Sequence, residues 1–258
     1  YSTVNNESTL MKRERGFTSV KPYDVVVVTD NLISQLKGMN CIKIAWLMEP
    51  KSINPYIYGY IADNLDGYDY VWTHRKDLVE SNPKYKYVAR GGCRVNKKDR
   101  KIYENKTKFI SILTSPKQIT DGHRLRREIS FKYKTRIDVF GPEFTRLPEN
   151  DHNVLYSCEN YKYSVAIENE STRGFFSEKL ISCFLTGTVP IYFGDPDIGK
   201  IFNPDGMIII NDLNDMDRVM AEIENYDYAR FDAAKQENFE IAKQYYICED
   251  RIINNNLI

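Results

Sequence analysis

The chain has 258 residues, 42% of them hydrophobic, and its 36 Lys and Arg balance 36 Asp and Glu. This length and apolar content suffice for a large hydrophobic core, which excludes a disordered or fibrous protein. No apolar run approaches the roughly 20 residues that cross a bilayer, so no transmembrane segment is predicted. Residues 1–21 are polar and lack the pattern of a secretion signal.

The cysteines indicate a reducing compartment. Five of them are widely scattered and form no Cys-x-x-Cys pair, and they are Cys41, Cys93, Cys158, Cys183 and Cys248. An odd number at such spacings predicts free thiols rather than a disulfide framework. We therefore expect a cytoplasmic protein, or one peripheral to a membrane, and the sequence indicates no oligomeric state.

The neutral net charge conceals a basic segment. Between Arg75 and Arg136 there are 19 Lys and Arg against 6 Asp and Glu. Such a segment attracts anions, for example a nucleotide diphosphate or a nucleic acid. It is equally compatible with a solvated surface on which long basic side chains cover apolar area. Charge alone leaves both interpretations open.

Strand-like apolar runs alternate with helical segments in the first part of the chain, a pattern typical of α/β proteins. The β-branched run at residues 23–29 predicts a buried parallel strand. Further strands are predicted at 42–47, 68–72 and 87–89, and helices at 55–65 and 75–80. Gly91 and Gly92, followed by basic residues up to Lys106, lack a regular period and indicate a linker.

A second α/β run follows this linker. Strands are predicted at 108–113, 136–140, 163–167, 189–193 and 207–210, and helices at 123–133, 176–185, 216–223 and 231–247. The elements predict two Rossmann-like lobes, residues 1–104 and 105–258, with the last helix packing back on the first lobe. Ligands are expected in the central cleft, at the carboxyl ends of the strands.

Residues 163–194 contain the most informative motif, YSVAIENESTRGFFSEKLISCFLTGTVPIYFG. A predicted strand ends at Glu168 and Asn169, a short polar loop follows, and the next helix opens at Ser177. In an open α/β sheet, the backbone N–H groups and the helix dipole at such a corner favour negative charge. The motif therefore predicts a nucleotide or diphosphate site.

Three consecutive residues at the start of this helix suit such a ligand. Ser177 can cap the helix, Glu178 can accept hydrogen bonds from ribose hydroxyls, and Lys179 supplies a positive charge for phosphate. The alternative is that Ser177 and Glu178 only stabilise the helix start and that Lys179 is solvated. Spacing alone does not separate the two.

The same segment resembles the donor-binding motif of the α-1,3-fucosyltransferase family, whose pattern is approximately F-x-F-E-N-S, Y-V-T-E-K-L and G-x-V-P-V-x-x-G. The family's asparagine, glutamate and lysine contact the nucleotide-sugar donor, which implies this role for Asn169, Glu178 and Lys179. The family's tyrosine falls at Phe175, which has no hydroxyl, so one donor contact differs here. The candidate donor-binding residues of the motif are Glu168, Asn169, Phe175, Ser177, Glu178 and Lys179.

Two further stretches resemble the same family more loosely. Residues 46–52, WLMEPKS, are similar to its W-x-x-M-E-S-P segment, which carries the proposed catalytic base, and this implies that role for Glu49. A loop carboxylate at a helix N-terminus is the alternative for Glu49. Residues 70–77, YVWTHRKD, are similar to its N-W-T-x-S-Y-R-x-D stretch, which makes His74 a candidate acceptor contact, with a surface or core histidine as the alternative. Tyr56 is a second candidate acceptor contact, although loop or core packing is the favoured interpretation for it.

Residues 108–141 parallel a third region of the family, whose arginine binds the diphosphate. Arg124 is the matching residue, with Arg127 as the alternative because the intervening loop length is uncertain. Together, the three regions resemble a GT-B glycosyltransferase that acts by inversion and moves fucose from GDP-fucose to a glycan hydroxyl. Glu49 would take the proton of that hydroxyl, and cationic side chains would stabilise the leaving diphosphate.

Other functions remain open from the sequence. The basic segment is compatible with sugar transfer to DNA, and a catalytically silent nucleotide-sugar or polyanion binder would retain the donor motif. Two Asp-x-Asp triplets, at residues 195–197 and 215–217, match the pattern of metal-dependent glycosyltransferases but are common by chance. A divalent metal is therefore compatible with the sequence but not required by it. No Gly-x-Gly-x-x-Gly or Walker motif occurs, which excludes dehydrogenase and P-loop interpretations.

Overall fold

The computed structural model describes residues 21–22, 24–147 and 154–254. The predicted polar start of the chain and residue 23 of the first predicted strand lie outside the described residues. Two parallel sheets form the framework. The first contains, in order, β1 (Val25–Thr29), β2 (Ile42–Leu47), β3 (Tyr70–Thr73) and β4 (Tyr85–Tyr87). The prediction of a buried strand at residues 23–29 is wrong in its burial: β1 lies at the edge of this sheet, Val25 is 39% exposed, and only Val28 of its five residues is buried. The inner strands β2 and β3 are buried over most of their length.

The second sheet has five strands. They are β5 (Lys108–Leu113), β6 (Asp138–Phe140), β7 (Tyr161–Ile167), β8 (Val189–Phe193) and β9 (Ile208–Ile209), and their spatial order is β6-β5-β7-β8-β9. We call the part built on the first sheet, residues 24–87, the first lobe, and the part built on the second, residues 108–245, the second lobe. The predicted fold class, two Rossmann-like α/β lobes, is confirmed.

Seven α-helices are present in the described residues. They are α1 (Pro55–Asp63), α2 (Lys76–Ser81), α3 (Asp121–Tyr133), α4 (Glu178–Phe184), α5 (Leu213–Glu222), α6 (Asp232–Ala242) and α7 (Cys248–Asn254). None of the helices in this part of the chain has the length and apolar character that crossing a bilayer requires. All five cysteines lie in the described residues and are buried, and no two of them form a disulfide.

The prediction of one helix over residues 231–247 is wrong at the C-terminal end. α6 ends at Ala242, and a 3-10 turn at Lys243–Tyr245 separates it from α7. The reason is tertiary. The carbonyl of Tyr245 accepts a hydrogen bond from Gly92 N at 2.8 Å, and the Tyr245 ring packs edge-on against Phe176. The backbone carbonyl is thus used by another segment instead of by the helix.

The predicted linker packs tightly on the second lobe. Gly91 N donates to Phe176 O at 3.0 Å, and Cys93 and Val95 are fully buried in a core that includes Phe176 and Leu180. This attachment places residue 90 beside the start of α4. The boundary between residues 104 and 105 stays a prediction.

Helix α7 contacts the first lobe. Cys248 and Ile252 of α7 are buried together with Ile44, Trp46 and Trp72. Both the predicted linker and α7 therefore connect the two lobes.

Candidate active site

A cleft of about 430 Å³ lies between the lobes, where strands of both sheets end. Glu49 lines it from the first lobe, two residues after β2 ends at Leu47. Asn169 lines it from the second lobe, just after β7, and so does the start of α4 at Ser177. Parallel strands bring their carboxyl ends to the same edge of a sheet, which explains why residues distant in sequence converge here.

Glu168 organises the start of α4. Its side chain is completely buried, and its two oxygens each lie 2.7 Å from a group of Ser177, the backbone N and Oγ. Lys179 Nζ lies 3.4 Å from Glu168 Oε2 and 3.1 Å from Ser177 Oγ. A buried carboxylate needs hydrogen-bond donors or a positive charge as partners. The contacts with Glu168 and Ser177 in turn hold the Lys179 side chain at the cleft.

A glycine allows α3 to approach this corner. A Cβ added at Gly122 would lie 1.8 Å from the carbonyl oxygen of Glu168. Without that side chain, Gly122 N donates to Asn169 O at 3.1 Å. The close contact brings the first turns of α3 to the cleft, and any larger residue at position 122 would displace them.

Glu178 is a buried, ionised carboxylate. Its Oε1 lies 3.4 Å from Lys179 Nζ and 3.7 Å from the guanidinium of Arg94. Burial by itself raises the pKa of Glu178, but the positive charges of Lys179, Arg90 and Arg94 outweigh burial and hold the pKa well below its usual range. The carboxylate is therefore an obligatory hydrogen-bond acceptor in the cleft at neutral pH.

Positive charge dominates the lining of the cleft. Five Lys and Arg side chains stand there against the two carboxylates of Glu49 and Glu178, and they are Arg90, Arg94, Lys117, Arg126 and Lys179. Burial lowers the pKa of His123, which also lines the cleft, to about 4, and the nearby cation of Arg126 adds to this. This histidine is neutral at pH 7, so the surplus of positive charge comes from the Lys and Arg side chains.

Two of the arginines are buried without a carboxylate partner within 4 Å among the described residues. Arg126 is 7% exposed and donates to Ile167 O at 2.5 Å and to Asn169 Oδ1 at 3.4 Å. Arg90, also 7% exposed, donates to Gly91 O at 3.4 Å. A buried guanidinium with donors to spare suits an anionic ligand, and a diphosphate is the ligand that several such groups bind best.

Residues 103–251 match the family described as Glycosyltransferase family 10 (fucosyltransferase) C-term. The matched region covers more than half of the chain. The chain belongs to this family. The predicted family resemblance is thereby confirmed.

Two curated relatives are similar to this chain over short regions. Alpha-(1,3)-fucosyltransferase FucT of Helicobacter pylori is 24% identical over 112 residues, 43% of this chain and 20% of the relative. A putative fucosyltransferase of Acanthamoeba polyphaga mimivirus is 37% identical over 73 residues, 28% of this chain and 12% of that protein. The matched regions therefore span a fifth or less of the length of these two relatives.

Solved structures show the fold. An α-1,3-fucosyltransferase crystallised with GDP has a TM-score of 0.56 at 17% identity, covering 84% of this chain and 71% of that one. The pneumococcal O-GlcNAc transferase GtfA, with UDP and GlcNAc, has a TM-score of 0.58 at 13% identity, covering 90% of this chain and 56% of that one. OtsA reaches 0.62 at 10% identity, with coverages of 92% and 73%. These neighbours establish the predicted GT-B architecture.

In this family-10 chain, the arginine of α3 that lines the cleft is Arg126, and the prediction of Arg124, with Arg127 as the alternative, is wrong. Arg124 pairs with Asp121 on the surface, and Arg127 pairs with Glu143. The cause is helical phase. The buried face of α3 includes residues 122, 125, 126, 129 and 133, so positions 124 and 127 point to solvent.

The two predicted acceptor residues lie apart from the cleft lining. His74 is 1% exposed, and its ring packs on Phe175 with centroids 4.6 Å apart. Burial, followed by the charges of Arg75 and Arg90, lowers the pKa of His74 to about 3, so the ring is neutral. Its position suits support of Phe175, which lines the cleft. Tyr56 is 77% exposed near the start of α1.

The aspartates of the Asp-x-Asp triplets are bonded to basic side chains or backbone groups. Asp197 pairs with Arg173 and Lys200, and Asp217 pairs with Lys132. Asp215 Oδ2 accepts from Asn211 N at 2.8 Å. In the part of the chain that the structure describes, no three His, Cys, Asp or Glu side chains are arranged to hold a metal ion.

The basic segment contributes both to surface ion pairs and to the cleft. In the described regions, five of its side chains outside the cleft form ion pairs with acids from other parts of the chain, and these acids are Asp66, Asp138, Glu143, Asp217 and Glu224. Four others line the cleft, and they are Arg90, Arg94, Lys117 and Arg126. A cluster of cations inside a cleft suits a compact anionic ligand.

Sequence reasoning missed Arg90 as a cleft residue. The two glycines that follow it indicated only a linker, and both have positive φ, 49° at Gly91 and 96° at Gly92. The sequence signal that could have identified Arg90 is its position directly before two consecutive glycines, which allow the backbone to turn and pack closely on another segment. Gly91 pairs with Ser177 as an isolated bridge, which is why Arg90 lies next to Glu178.

Proposed function

We propose that this chain transfers fucose from GDP-fucose to a hydroxyl group of a glycan, with inversion at the anomeric carbon. One observation carries the proposal: a single cleft contains the carboxylate of Glu49 from the first lobe and the Glu178–Lys179 pair from the second. A solved α-1,3-fucosyltransferase of the same fold contains GDP, which supports a guanine nucleotide. The fucose and glycan assignments come from family membership.

The second lobe would bind and activate the leaving group. Lys179, Arg126 and Arg90 would contact the diphosphate, whose negative charge grows as the bond to the sugar breaks. Glu178, held ionised by its cationic neighbours, would accept hydrogen bonds from the ribose hydroxyls. Lys179, Arg126 and Arg90 would thus supply the positive charge that a leaving diphosphate needs.

The first lobe would supply the base. In a single displacement, the acceptor oxygen attacks the anomeric carbon from the face opposite the nucleotide. The new C–O bond forms while the bond to the diphosphate breaks, the proton of the hydroxyl goes to Glu49, and GDP leaves with the electron pair. Glu49 lines the cleft from the lobe opposite Lys179, as this geometry requires.

The nucleotide preference is tested by thermal shift. We expect GDP to raise the melting temperature more than UDP, CDP or ADP, because a ligand that binds only the folded state stabilises it according to its affinity. At 100 times Kd the stabilisation is about 2.7 kcal/mol, a shift that is easily resolved. Stronger stabilisation by UDP than by GDP would assign a different donor and contradict the fucose proposal.

Arg126 and Arg124 form a matched pair for testing the diphosphate site. Arg126→Lys should weaken GDP binding by about tenfold, because a lysine keeps the charge but loses the planar fork of donors. Arg124→Lys, on the exposed face of the same helix, should leave it unchanged. Isothermal titration with GDP measures both. Equal loss in the two variants, or loss only at Arg124, would contradict the assignment to Arg126.

A further inference from the structure

Asp30 has an unusual backbone conformation next to the cleft. It follows β1 directly and has a φ of 45°, the one non-glycine residue in the left-handed region among those the structure describes. Such a conformation costs free energy for a residue with a side chain, although Asp and Asn tolerate it best. Surrounding interactions must hold it in place.

The Asp30 carboxylate binds the backbone that carries Glu49. Its Oδ1 accepts from Met48 N at 3.1 Å and from Glu49 N at 3.2 Å. The register of the two strands explains why the Asp30 side chain can contact these amides. Thr29 of β1 lies opposite Trp46 of β2, so Asp30 lies next to the end of β2, close to Met48 and Glu49. Burial raises the pKa of Asp30, and the nearby charge of Glu49 contributes in the same direction.

The other side of the Glu49 peptide is also held by a side chain. The hydroxyl of Tyr58, a buried residue of α1, donates to Glu49 O at 2.8 Å. The backbone N–H and C=O of Glu49 are therefore both bonded to side chains, at a position that belongs to neither a strand nor a helix. These two bonds fix the backbone, while the Glu49 side chain remains in the lining of the cleft.

We propose that Asp30 is a positioning residue, whose carboxylate orients Glu49 toward the reacting hydroxyl by bonding to the Met48 and Glu49 amides. This inference rests on the proposed role of Glu49 as the base. Proton transfer requires the base within hydrogen-bond reach of the hydroxyl, and a displacement of 1 Å can cost on the order of 100-fold in rate. The backbone strain at Asp30 is the cost of placing this carboxylate.

Two substitutions separate the carboxylate from the backbone conformation. Asp30→Gly accepts the φ of 45° without strain but removes the acceptor, whereas Asp30→Asn tolerates the same φ and keeps a side-chain oxygen. GDP release from GDP-fucose is measured with the best acceptor from a glycan panel and with water alone. We expect Asp30→Gly to lower kcat by about 10- to 100-fold and Asp30→Asn to restore most of that loss.

Binding and stability measurements exclude a merely structural role. Asp30→Gly should leave the Kd for GDP unchanged, because the proposed diphosphate contacts come from Arg90 and from the second lobe. Tyr58→Phe, which loses the hydroxyl that donates to Glu49 O, should also lower kcat without changing this Kd. Equal losses in kcat and GDP affinity, accompanied by a lower melting temperature, would overturn the inference.

A double variant separates failure of this inference from failure of the proposed function. In the Glu49→Gln background, adding Asp30→Gly should cause no further loss of kcat, because there is no base left to orient. If the two losses multiply, Asp30 acts independently of Glu49 and the inference is wrong. If Glu49→Gln alone keeps full turnover, the proposed base is wrong, and the inference fails with it.

Discussion

Glu49→Gln is expected to lower sugar transfer by roughly 10²- to 10⁴-fold, the usual contribution of a general base. Glutamine has nearly the same shape, and the bonds from Asp30 and Tyr58 involve only the backbone of residue 49, so the loop should keep its conformation. The amide cannot accept the proton of the attacking hydroxyl. Steady-state turnover of GDP-fucose measures the loss, and calorimetry with GDP should give an unchanged Kd.

Glu170→Gln is the matched control for this variant. Glu170 is a carboxylate of the second lobe that contacts the loop carrying Glu49, since its Oε2 accepts from Ser52 N at 3.1 Å. Its Oε1 accepts from Thr172 Oγ1 at 2.8 Å, so both oxygens are engaged. We expect turnover close to wild type. A large loss in Glu170→Gln together with full activity in Glu49→Gln would move the base to the second lobe.

The strands were predictable where the sequence is continuously apolar. The boundaries of β2, β5 and β8 agree with the predicted ones, because each is a run of apolar residues next to polar or glycine-containing turns. The start of α4 was predictable to within two residues from the Ser177 cap. Local chemistry decides these features, so a single sequence contains enough information.

The helix faces and the long-range contacts were not predictable in the same way. The three arginines in the DGHRLRR run of α3 are chemically identical, and only the packing of α3 on β7 selects Arg126 for the cleft. The sequence around His74 made it a candidate for contacting the acceptor. In the structure, however, Phe175 from the other lobe packs against its ring and buries it. The contact between Asp30 and the Glu49 amide depends on the pairing of β1 with β2, which no local sequence pattern indicates.

The family comparison and the cleft chemistry support each other at one point, the Glu178–Lys179 pair. Family membership rests on residues 103–251, and the cleft independently collects its positive charge around the same pair. The first lobe lies outside that match, so the assignment of Glu49 depends more on geometry than the assignment of Lys179 does. The two largest predictions therefore test the two lobes separately.

Lys179→Met is expected to weaken GDP binding by about 10- to 100-fold, the loss that corresponds to one charge-assisted hydrogen bond. Methionine has a similar length and keeps the apolar contacts of the side chain. Glu168 loses one partner but keeps both bonds to Ser177, so the start of α4 should remain folded. Isothermal titration with GDP gives the affinity, and circular dichroism confirms that the fold is kept.

Guanosine provides the second measurement for Lys179→Met, because it retains the base and ribose but has no phosphate. If Lys179 binds the diphosphate, its loss should reduce the affinity for GDP and leave that for guanosine unchanged. Lys200→Met is the matched control, since Lys200 is a 70% exposed lysine that pairs with Asp197 away from the cleft lining. Equal weakening of GDP and guanosine would mean that the variant disturbs the whole site. Unchanged GDP affinity would mean that the lysine serves only Glu168 and Glu178, and the cleft would then need another cation for the leaving group.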